Sequence, residues 1–336
     1  MNLARFPRRR YTPGQTPLER LSRFSQVIGG PAIYIKRDDM LGLTGGGNKT
    51  RKLEFLVADA LAQGADTLIT CGGIQSNHCR LTLAAAVKEG LNCRLVLTEI
   101  DPGSYNSSTS GNVFLYQLLG AEKVKVISGS EDVAAELIKN AAEAVDEGRK
   151  PYIIPMGGSN HLGALGYVAC AEEIMNQAFD SGIDISHIVL AGGSAGTHSG
   201  LLFGLYANNC RIPVTGISVL NPKDVLANRI AELMQQTAEY VGVEVKVPQE
   251  AIVCLDEYIG PGYTRPTDGM IEAVKLLART EGILLDPTYT GKAMAGLIDL
   301  ARKGVFKKTD NILFLHTGGS PGLYANTALF MPQVQI

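Results

Sequence analysis

The 336-residue sequence contains no tryptophan, and aromatic residues make up only 6% of it. Its six cysteines include no Cys-x-x-Cys pair and its five histidines include no His-Glu-x-x-His motif, so neither a disulfide framework nor a metal site is indicated. No apolar run approaches the ~20 residues that a membrane-spanning helix requires. We therefore expect a cytoplasmic protein with reduced thiols, no metal and no membrane span.

The charge balance also excludes several classes of partner. Formal net charge is −2, and the sequence pI of about 6.2 gives no reason to expect nucleic acid or an anionic membrane as a partner. The first eleven residues are basic but lack the apolar core of a signal peptide. We expect them to form a short arm packed on the body of the protein.

Short apolar runs alternate with longer amphipathic ones, which predicts parallel α/β sheets. Predicted strands are Ala32–Lys36, Thr67–Thr70, Arg94–Leu97, Val124–Ile127, Tyr152–Ile154, Ile188–Ala191, Val214–Val219 and Ile312–Leu315. Predicted helices are Arg51–Gln63, Asn77–Glu89, Asp132–Asp146, Gly163–Ala178, Val225–Val241, Gly269–Thr280 and Gly291–Arg302. At this length, two α/β domains with a site between them are the natural arrangement.

Three consecutive glycines, Gly45 to Gly47, lead into Lys49, which the pattern places at the start of a helix. The partial positive charge of a helix N-terminus, with Arg51 and Lys52 beside it, is expected to lower the pKa of the lysine amine. A neutral lysine amine can form a Schiff base with a carbonyl cofactor. Taken alone, the segment also fits a surface lysine after a flexible loop.

A second candidate loop, Cys71–Arg80, follows the predicted strand that ends at Thr70. Ser76, Asn77 and His78 fall at the next helix start, where backbone N–H groups and polar side chains converge and suit a carboxylate. Ordinary N-capping is the alternative, but it explains one polar residue well and three poorly.

A third loop, Gly-Gly-Ser-Ala-Gly-Thr-His at 192–198, also follows a predicted strand. Such glycine-rich turns bind phosphate through backbone N–H groups. A dinucleotide fingerprint needs a different glycine spacing and an acidic residue about 20 positions on, yet no Asp or Glu lies between Asp184 and Asp224. A P-loop fails because Leu43 and Asn48 stand where glycines are required. The loop therefore favours a single phosphate.

Three further loops carry polar or aromatic side chains. Tyr289 and Thr290 fall at a helix start, Tyr263 follows a Gly-Pro-Gly turn, and Thr317 follows the last predicted strand. For either tyrosine a packed aromatic is the simpler interpretation. Together, however, an activated lysine, a carboxylate pocket, a phosphate loop and two loop tyrosines predict pyridoxal phosphate (PLP) as cofactor.

Three segments carry a family resemblance: Gly-Gly-Asn-Lys-Thr-Arg-Lys-Leu-Glu at 46–54, Gly-Ile-Gln-Ser-Asn at 73–77, and Leu-Asp-Pro-Thr-Tyr at 285–289. They resemble the family of D-cysteine desulfhydrases and 1-aminocyclopropane-1-carboxylate (ACC) deaminases, and the similarity covers essentially the whole chain. It implies PLP fold type II (tryptophan synthase β-like), with two open twisted mainly parallel sheets flanked by helices. It also implies a large PLP-binding domain (1–50 and 161–336), a small α/β domain (51–160), and a homodimer.

By position, the resemblance implies Lys49 as the Schiff-base lysine, Lys52 as a phosphate contact and Asn77 as the partner of the PLP phenolic oxygen. The complete implied cofactor set is Lys49, Lys52, Asn77, Gly193, Ser194, Ala195, Gly196, Thr197, Tyr289, Thr290 and Thr317. The implied substrate contacts are Ser76, Asn77, His78 and Tyr263. The implied catalytic residues are Lys49, Ser76, Tyr263 and Tyr289.

Branches of this family differ at a few positions. Opening a cyclopropane ring offers no good leaving group and needs a strong electron sink, which the deaminase branch supports with Glu after the ring tyrosine. Here that residue is the neutral Thr290, while Thr317 replaces Leu and His78 replaces the common Gln. The substitutions favour β-elimination of D-cysteine to pyruvate, hydrogen sulfide and ammonia, with either Lys49 or Tyr289 removing the Cα proton.

Other interpretations remain open from the sequence. L-Cysteate sulfo-lyase, which expels sulfite, is similar over the same motifs and ranks second, and ACC deaminase ranks third. A PLP carrier or amino-acid sensor on the same scaffold could keep the phosphate loop, although it would not need both Lys49 and Tyr289.

Overall fold

A computed structural model describes residues 1–331 of the chain. Its strands are β1 (Leu18–Arg20), β2 (Ala32–Lys36), β3 (Thr67–Gly73), β4 (Asn92–Glu99), β5 (Lys123–Ser128), β6 (Pro151–Ile153), β7 (His187–Gly192), β8 (Val214–Ser218), β9 (Ile252–Leu255) and β10 (Asn311–Leu315). All eight predicted strands are confirmed to within a few residues; β1 and β9 were not predicted.

The helices are α1 (Ser22–Ile28), α2 (Lys49–Ala62), α3 (Asn77–Glu89), α4 (Asn112–Leu118), α5 (Val133–Asp146), α6 (His161–Asp180), α7 (Gly196–Ala207), α8 (Lys223–Val241), α9 (Asp268–Glu281), α10 (Thr290–Arg302) and α11 (Ser320–Tyr324). The seven predicted helices are confirmed with small shifts at their ends. Helices α1, α4, α7 and α11 were not predicted.

The strands form two sheets. One has the order β1-β2-β10-β7-β8-β9, with only the β1–β2 pair antiparallel, and the other has the order β5-β4-β3-β6, parallel throughout. Central strands such as β8 are buried along their whole length, as expected when helices cover both faces of a parallel sheet. The crossover connections place the carboxyl ends of β3 and β7 beside the same cavity, which these strands line at Cys71–Gly73 and Ala191–Gly192.

Helix α7 escaped prediction because Gly196, Gly200 and Gly204 lower its intrinsic helix propensity. The structure shows what the last two glycines do. A Cβ on Gly200 would lie 2.3 Å from the Ala164 carbonyl oxygen, and one on Gly204 would lie 2.8 Å from the Ala171 Cβ. The glycines therefore let α7 pack directly against the backbone of α6 and hold its N-terminus at the cavity.

The predicted N-terminal arm is confirmed. The Arg9 amide donates to the Glu54 carbonyl oxygen at 2.7 Å, and the Arg8 guanidinium pairs with the Glu54 carboxylate, which also accepts from the Tyr11 amide. These contacts attach the arm to α2, the helix that begins at Lys49.

The domain boundaries remain a prediction. The strands of the four-stranded sheet lie between residues 67 and 153, and those of the six-stranded sheet lie at 18–36 and 187–315. Within residues 1–331, no helix combines the length and apolar character needed to cross a bilayer.

Candidate active site

A cavity of about 510 Å³ lies where loops from both sheets meet. Most of the predicted site residues line it: Lys49, Ser76, Asn77, His78, Gly193, Ser194, Ala195, Thr197, Tyr263, Tyr289 and Thr317. Three others, Lys52, Gly196 and Thr290, lie behind this wall. The structure thus brings together segments separated by up to 268 positions of the chain, from Lys49 to Thr317.

Lys49 is the first residue of α2 and is partly exposed, toward the cavity that it lines. The protein around it removes most of the bulk water, and this desolvation lowers the pKa of its amine to about 8. A hydrogen bond with Lys52 acts weakly in the opposite direction. The lysine therefore has far more neutral, nucleophilic amine near neutral pH than an exposed lysine, about a tenth of the molecules at pH 7.

The expectation that Arg51 and Lys52 lower this pKa was wrong, because the hydrogen bond with Lys52 raises it and Arg51 takes no part in the shift. The Arg51 side chain points away from Lys49 and is neutralised by two carboxylates, with its Nη2 donating to Asp38 at 2.8 Å and its Nη1 donating to Glu173 at 2.8 Å. Residues two positions apart in a helix, such as Lys49 and Arg51, project about 200° from each other, toward opposite faces. Burial, and not a neighbouring arginine, activates the lysine.

A second group of polar atoms surrounds the start of α7. The fully buried Lys52 Nζ donates to the Gly157 carbonyl oxygen at 3.1 Å and to Ser159 Oγ at 3.0 Å. Ser159 Oγ lies 2.8 Å from Ser194 Oγ. A Cβ on Gly196 would lie 2.7 Å from Lys52 Nζ, so only glycine lets the backbone approach this amine.

This group has the chemistry of a phosphate site. Backbone N–H groups at the N-terminus of α7, the Thr197 hydroxyl and a buried lysine face one region. Asn48 Nδ2 donates to Thr197 Oγ1 at 2.8 Å, which joins the region to the Lys49 segment. Burial lowers the pKa of Lys52, and the charge of Lys49 lowers it further. A bound dianion would offset that cost, so these residues fit a phosphate group.

The Ser76–His78 turn forms another wall. Ser76 caps α3, since its Oγ accepts a hydrogen bond from the Cys79 amide at 3.2 Å, so the capping interpretation holds for this one residue. His78 Nε2 lies 2.8 Å from Thr70 Oγ1, which itself donates to the Ile154 carbonyl oxygen. Burial lowers the pKa of His78 well below its usual range, so the imidazole is neutral.

Two tyrosines, Tyr263 and Tyr289, form another wall of the cavity. The Tyr263 and Tyr289 hydroxyls are hydrogen-bonded, and their rings meet edge-on with centroids 5.9 Å apart. Burial raises the pKa of Tyr263 to about 12 and that of Tyr289 further above its usual range. Lys292 Nζ donates to the Ile259 and Gly262 carbonyl oxygens at 2.6 and 2.8 Å, which holds the loop that carries Tyr263. Both phenols are therefore protonated donors at neutral pH.

Thr290 does not reach the cavity surface. Its Oγ1 donates to Asp286 Oδ1 at 2.8 Å and accepts from the Asp286 amide at 2.9 Å. Asp286 also accepts hydrogen bonds from the Thr288, Tyr289 and Thr290 amides, so it caps the start of α10. Thr317, in contrast, does line the cavity.

Sequence reasoning missed the contribution of the loop after β6. Gly157 and Ser159 line the cavity, and Gly157 has a φ of 67° that favours glycine. A Cβ on Gly157 would lie 2.3 Å from Ser194 Oγ. The sequence does contain a signal for this loop, because residues 157–160 read Gly-Gly-Ser-Asn shortly after a predicted strand. No group of His, Cys, Asp and Glu residues within 1–331 is arranged to hold a metal ion.

Comparison with known proteins agrees with this chemistry. A family model described as pyridoxal-phosphate dependent enzyme matches residues 10–318. A crystal structure described as an ACC deaminase homologue is 40% identical, covers 97% of this chain and 96% of its own, and superposes with a TM-score of 0.85.

Two structures of O-ureido-L-serine synthase, one of them a variant with O-ureido-L-serine bound, share the fold at 19% and 18% identity, with TM-scores of 0.66 and 0.67. They cover 97% of this chain and 94% and 95% of their own. The fold is PLP fold type II, with two mainly parallel sheets flanked by helices, and the cofactor is pyridoxal phosphate. The chain belongs to the family of pyridoxal-phosphate-dependent enzymes.

Proposed function

We propose that this enzyme eliminates hydrogen sulfide from D-cysteine. The Cα–H and Cβ–S bonds break, and hydrolysis of the released aminoacrylate gives pyruvate and ammonia. One observation carries the proposal: among the cavity-lining residues of the described chain there is no Asp or Glu. Asp286, behind the wall, accepts hydrogen bonds from three amides as the cap of α10.

This absence bears on the strength of the electron sink. Bound in this cavity, PLP supplies the electron sink for bond breaking at Cα. A carboxylate facing the pyridine nitrogen strengthens such a sink, and here the wall offers neutral groups such as Thr317 instead. A substrate whose leaving group departs easily suits a weaker sink. Hydrosulfide meets that condition, whereas a ring carbon does not.

The residues that would hold the cofactor follow from the contacts described above. Lys49 would form the covalent link, and Asn77 lies in the same wall as a hydrogen-bond donor. The 193–197 loop and Lys52 would bind the phosphate. We propose Tyr289 and Thr317 as contacts of the ring. Thr290 would act through Asp286 instead of touching the cofactor.

The structure favours Lys49 over Tyr289 as the group that moves the Cα proton. The lowered pKa of Lys49 provides a neutral amine that can accept a proton near pH 7. The raised pKa of Tyr289 keeps its phenol protonated, and its hydrogen bond to Tyr263 fixes its direction. We assign Lys49 as the base and the tyrosine pair as donors near the departing sulfur.

The substrate carboxylate would bind at the Ser76–His78 turn. The N-terminus of α3 offers free backbone N–H groups, and the neutral imidazole of His78 adds no charge of its own. The preference for the D enantiomer comes from the family resemblance alone.

ACC deamination is the second candidate, because the 40%-identical structure is described as an ACC deaminase homologue. A substrate panel separates the two. We expect pyruvate from D-cysteine with the highest kcat/KM, and a kcat/KM for ACC at least about 100-fold lower, since the poorer leaving group raises the barrier. L-Cysteine and L-cysteate complete the panel.

A higher kcat/KM for ACC or for L-cysteate would contradict the proposal. L-Cysteate is a meaningful competitor because the exposed Arg229 lies at the cavity wall and forms no ion pair within residues 1–331. Yellow protein that forms neither pyruvate from the three sulfur-containing substrates nor 2-oxobutanoate from ACC would indicate a PLP carrier or sensor.

A carboxylate placed at the cavity wall should change the preferred reaction if the strength of the electron sink selects it. Thr317 lines the cavity, whereas Thr290 lies behind the wall, so Thr317 is the position to substitute. Thr317→Glu should raise the ratio of kcat/KM for ACC to that for D-cysteine by about tenfold or more, because a carboxylate near the ring strengthens the sink. Thr317→Gln is the matched control, of the same size but uncharged. Equal ratios for the two variants would show that charge at this position does not select the reaction.

A further inference from the structure

Arg80, on α3, is a buried arginine without an acidic partner. Its side chain is fully inaccessible, and it forms no salt bridge within residues 1–331. Burial lowers its pKa to about 10, although even so it carries a full positive charge at neutral pH. An unpaired buried charge is costly and needs an explanation.

The guanidinium is held entirely by neutral oxygen atoms. Nη1 donates to Asn77 Oδ1 at 2.8 Å and to Asn112 Oδ1 at 2.7 Å, and Nη2 donates to the Gly46 carbonyl oxygen at 2.8 Å. Asn77 lines the cavity, and Gly46 belongs to the glycine loop that leads into Lys49. One side chain therefore joins the two segments that would meet adjacent positions of the PLP ring, the aldehyde carbon and the phenolic oxygen.

These contacts fix which end of the Asn77 amide faces the cavity. Arginine can only donate, so the oxygen of Asn77 must point toward Arg80. Asn112 Nδ2 donates to the same oxygen at 3.0 Å and to the Gln75 carbonyl oxygen at 2.9 Å, which is consistent with that orientation. The Asn77 Nδ2 group is left free to donate into the cavity.

The positive charge near this amide is only partly offset by its neighbours. The charge of Asp286 acts on Arg80 from a distance, but its carboxylate accepts hydrogen bonds from its own helix and forms no salt bridge with Arg80 among residues 1–331. The Tyr116 hydroxyl donates to the Ser76 carbonyl oxygen. The remaining titratable groups around the cavity are protonated phenols, neutral imidazoles, a protonated thiol and basic groups: Tyr263, Tyr289, His78, His198, Cys71, Lys49, Lys52 and Arg229. None of these supplies a negative charge.

We propose that Arg80 is a positioning residue that orients the Asn77 amide toward the phenolic oxygen of PLP and, through its unpaired charge, favours the anionic form of that oxygen. The inference rests on the proposed site, in which Asn77 meets this oxygen, but not on the identity of the substrate. In the same proposal, Asn112 helps to orient the Asn77 amide but, being uncharged, does not affect the ionisation of the phenolic oxygen.

The test is a pH titration of the visible absorption of the holoenzyme without substrate, together with the Kd for PLP. Arg80→Met removes the charge and the hydrogen bonds. Because a nearby positive charge favours loss of a proton from the bound cofactor, its removal should shift the titration midpoint upward by about one pH unit. Affinity for PLP should fall about tenfold.

Two further variants separate charge from orientation. Arg80→Lys keeps the charge but cannot reach three acceptors, and Asn112→Ala keeps Arg80 itself. Both should weaken PLP binding while leaving the midpoint near that of the wild type. If Arg80→Met does not fold, Arg80→Gln, which also removes the charge, takes its place in the pH titration with the same expected shift.

Arg94→Met is the control for loss of a buried arginine in the same sheet region, since Arg94 pairs with Glu122 and Glu147 and does not line the cavity. It should change neither midpoint nor affinity. The proposal is overturned if Arg80→Met leaves the midpoint within ~0.3 pH unit of the wild type. It is also overturned if Arg80→Lys and Asn112→Ala bind PLP as tightly as the wild type. Since no substrate is used, these outcomes are independent of the reaction proposed above.

Discussion

Replacing Lys49 with alanine is expected to reduce pyruvate formation by roughly a thousandfold or more, because this one side chain supplies both the covalent link and the proton-transfer group. The fold should survive, because the Lys49 side chain is partly exposed at the cavity and forms no salt bridge among residues 1–331. Steady-state kinetics with D-cysteine, and circular dichroism for the fold, measure the two effects.

Lys52→Met is the matched control for this lysine. It removes a buried amine only three positions away, whose contacts are with Gly157 and Ser159. We expect weaker binding of PLP with the covalent link intact, so activity should recover at high PLP concentration. Recovery of Lys49→Ala by added PLP, or a greater loss in Lys52→Met at saturating PLP, would reverse the two assignments.

Replacing Arg51 with methionine is expected to lower the free energy of unfolding by about 3–5 kcal/mol, because the buried Asp38 carboxylate loses its ionic partner and the partly exposed Glu173 keeps only Lys36. Asp38 is fully inaccessible and accepts from Arg51 Nε and Nη2, both at 2.8 Å, from Tyr167 at 2.6 Å and from Thr16 at 2.8 Å. Without Arg51, this carboxylate would remain buried with only neutral donors in direct contact.

Arg302→Met is the control for the same substitution at the surface. Arg302 pairs with Glu272 at 2.6 Å, but both side chains are about half exposed. Exposed pairs contribute roughly 0–1 kcal/mol. Chemical denaturation of both variants compares them directly, and equal losses of unfolding free energy would mean that the buried cluster contributes no more than a surface pair.

The same cluster gives stability a defined dependence on pH. Burial disfavours the Glu173 carboxylate, yet its contacts with Arg51 and Lys36 outweigh burial and lower its pKa to about 2. A lowered folded-state pKa means that this contribution is complete above the ordinary value of 4.5 and is lost as pH falls toward 2. The difference in unfolding free energy between wild type and Arg51→Met should therefore narrow as pH falls through this window.

Much of the site could be predicted because chemistry concentrates where strands end. The loops at 72–78 and 192–198 and the turn before Lys49 are glycine-rich and follow apolar runs, and the structure places all three around one cavity. The first two loops follow the carboxyl ends of parallel strands, β3 in one sheet and β7 in the other, where ligands usually bind. Local pattern was therefore enough to find the parts of the site, whereas the packing of the two sheets that brings them together could not be predicted from it.

What could not be predicted depends on side-chain direction. Arg51 and Lys52 are adjacent in sequence. The Arg51 guanidinium nevertheless pairs with Asp38, whereas the Lys52 amine lies beside the proposed phosphate loop and donates to Ser159. Thr290 follows Tyr289 directly, yet it bonds to Asp286 behind the cavity wall. Such directions are set by tertiary partners. Asp38 is distant in sequence from Arg51, and no local motif shows that Asp286 binds Thr290.

Borohydride reduction of the PLP-loaded enzyme, followed by peptide mapping, tests whether Lys49 carries the cofactor. The prediction is a single reduced PLP adduct, on the peptide that contains Lys49, because this amine lines the cavity and burial lowers its pKa to about 8. An adduct on Lys52 or on any other lysine, or no adduct on a protein that binds PLP, would contradict it.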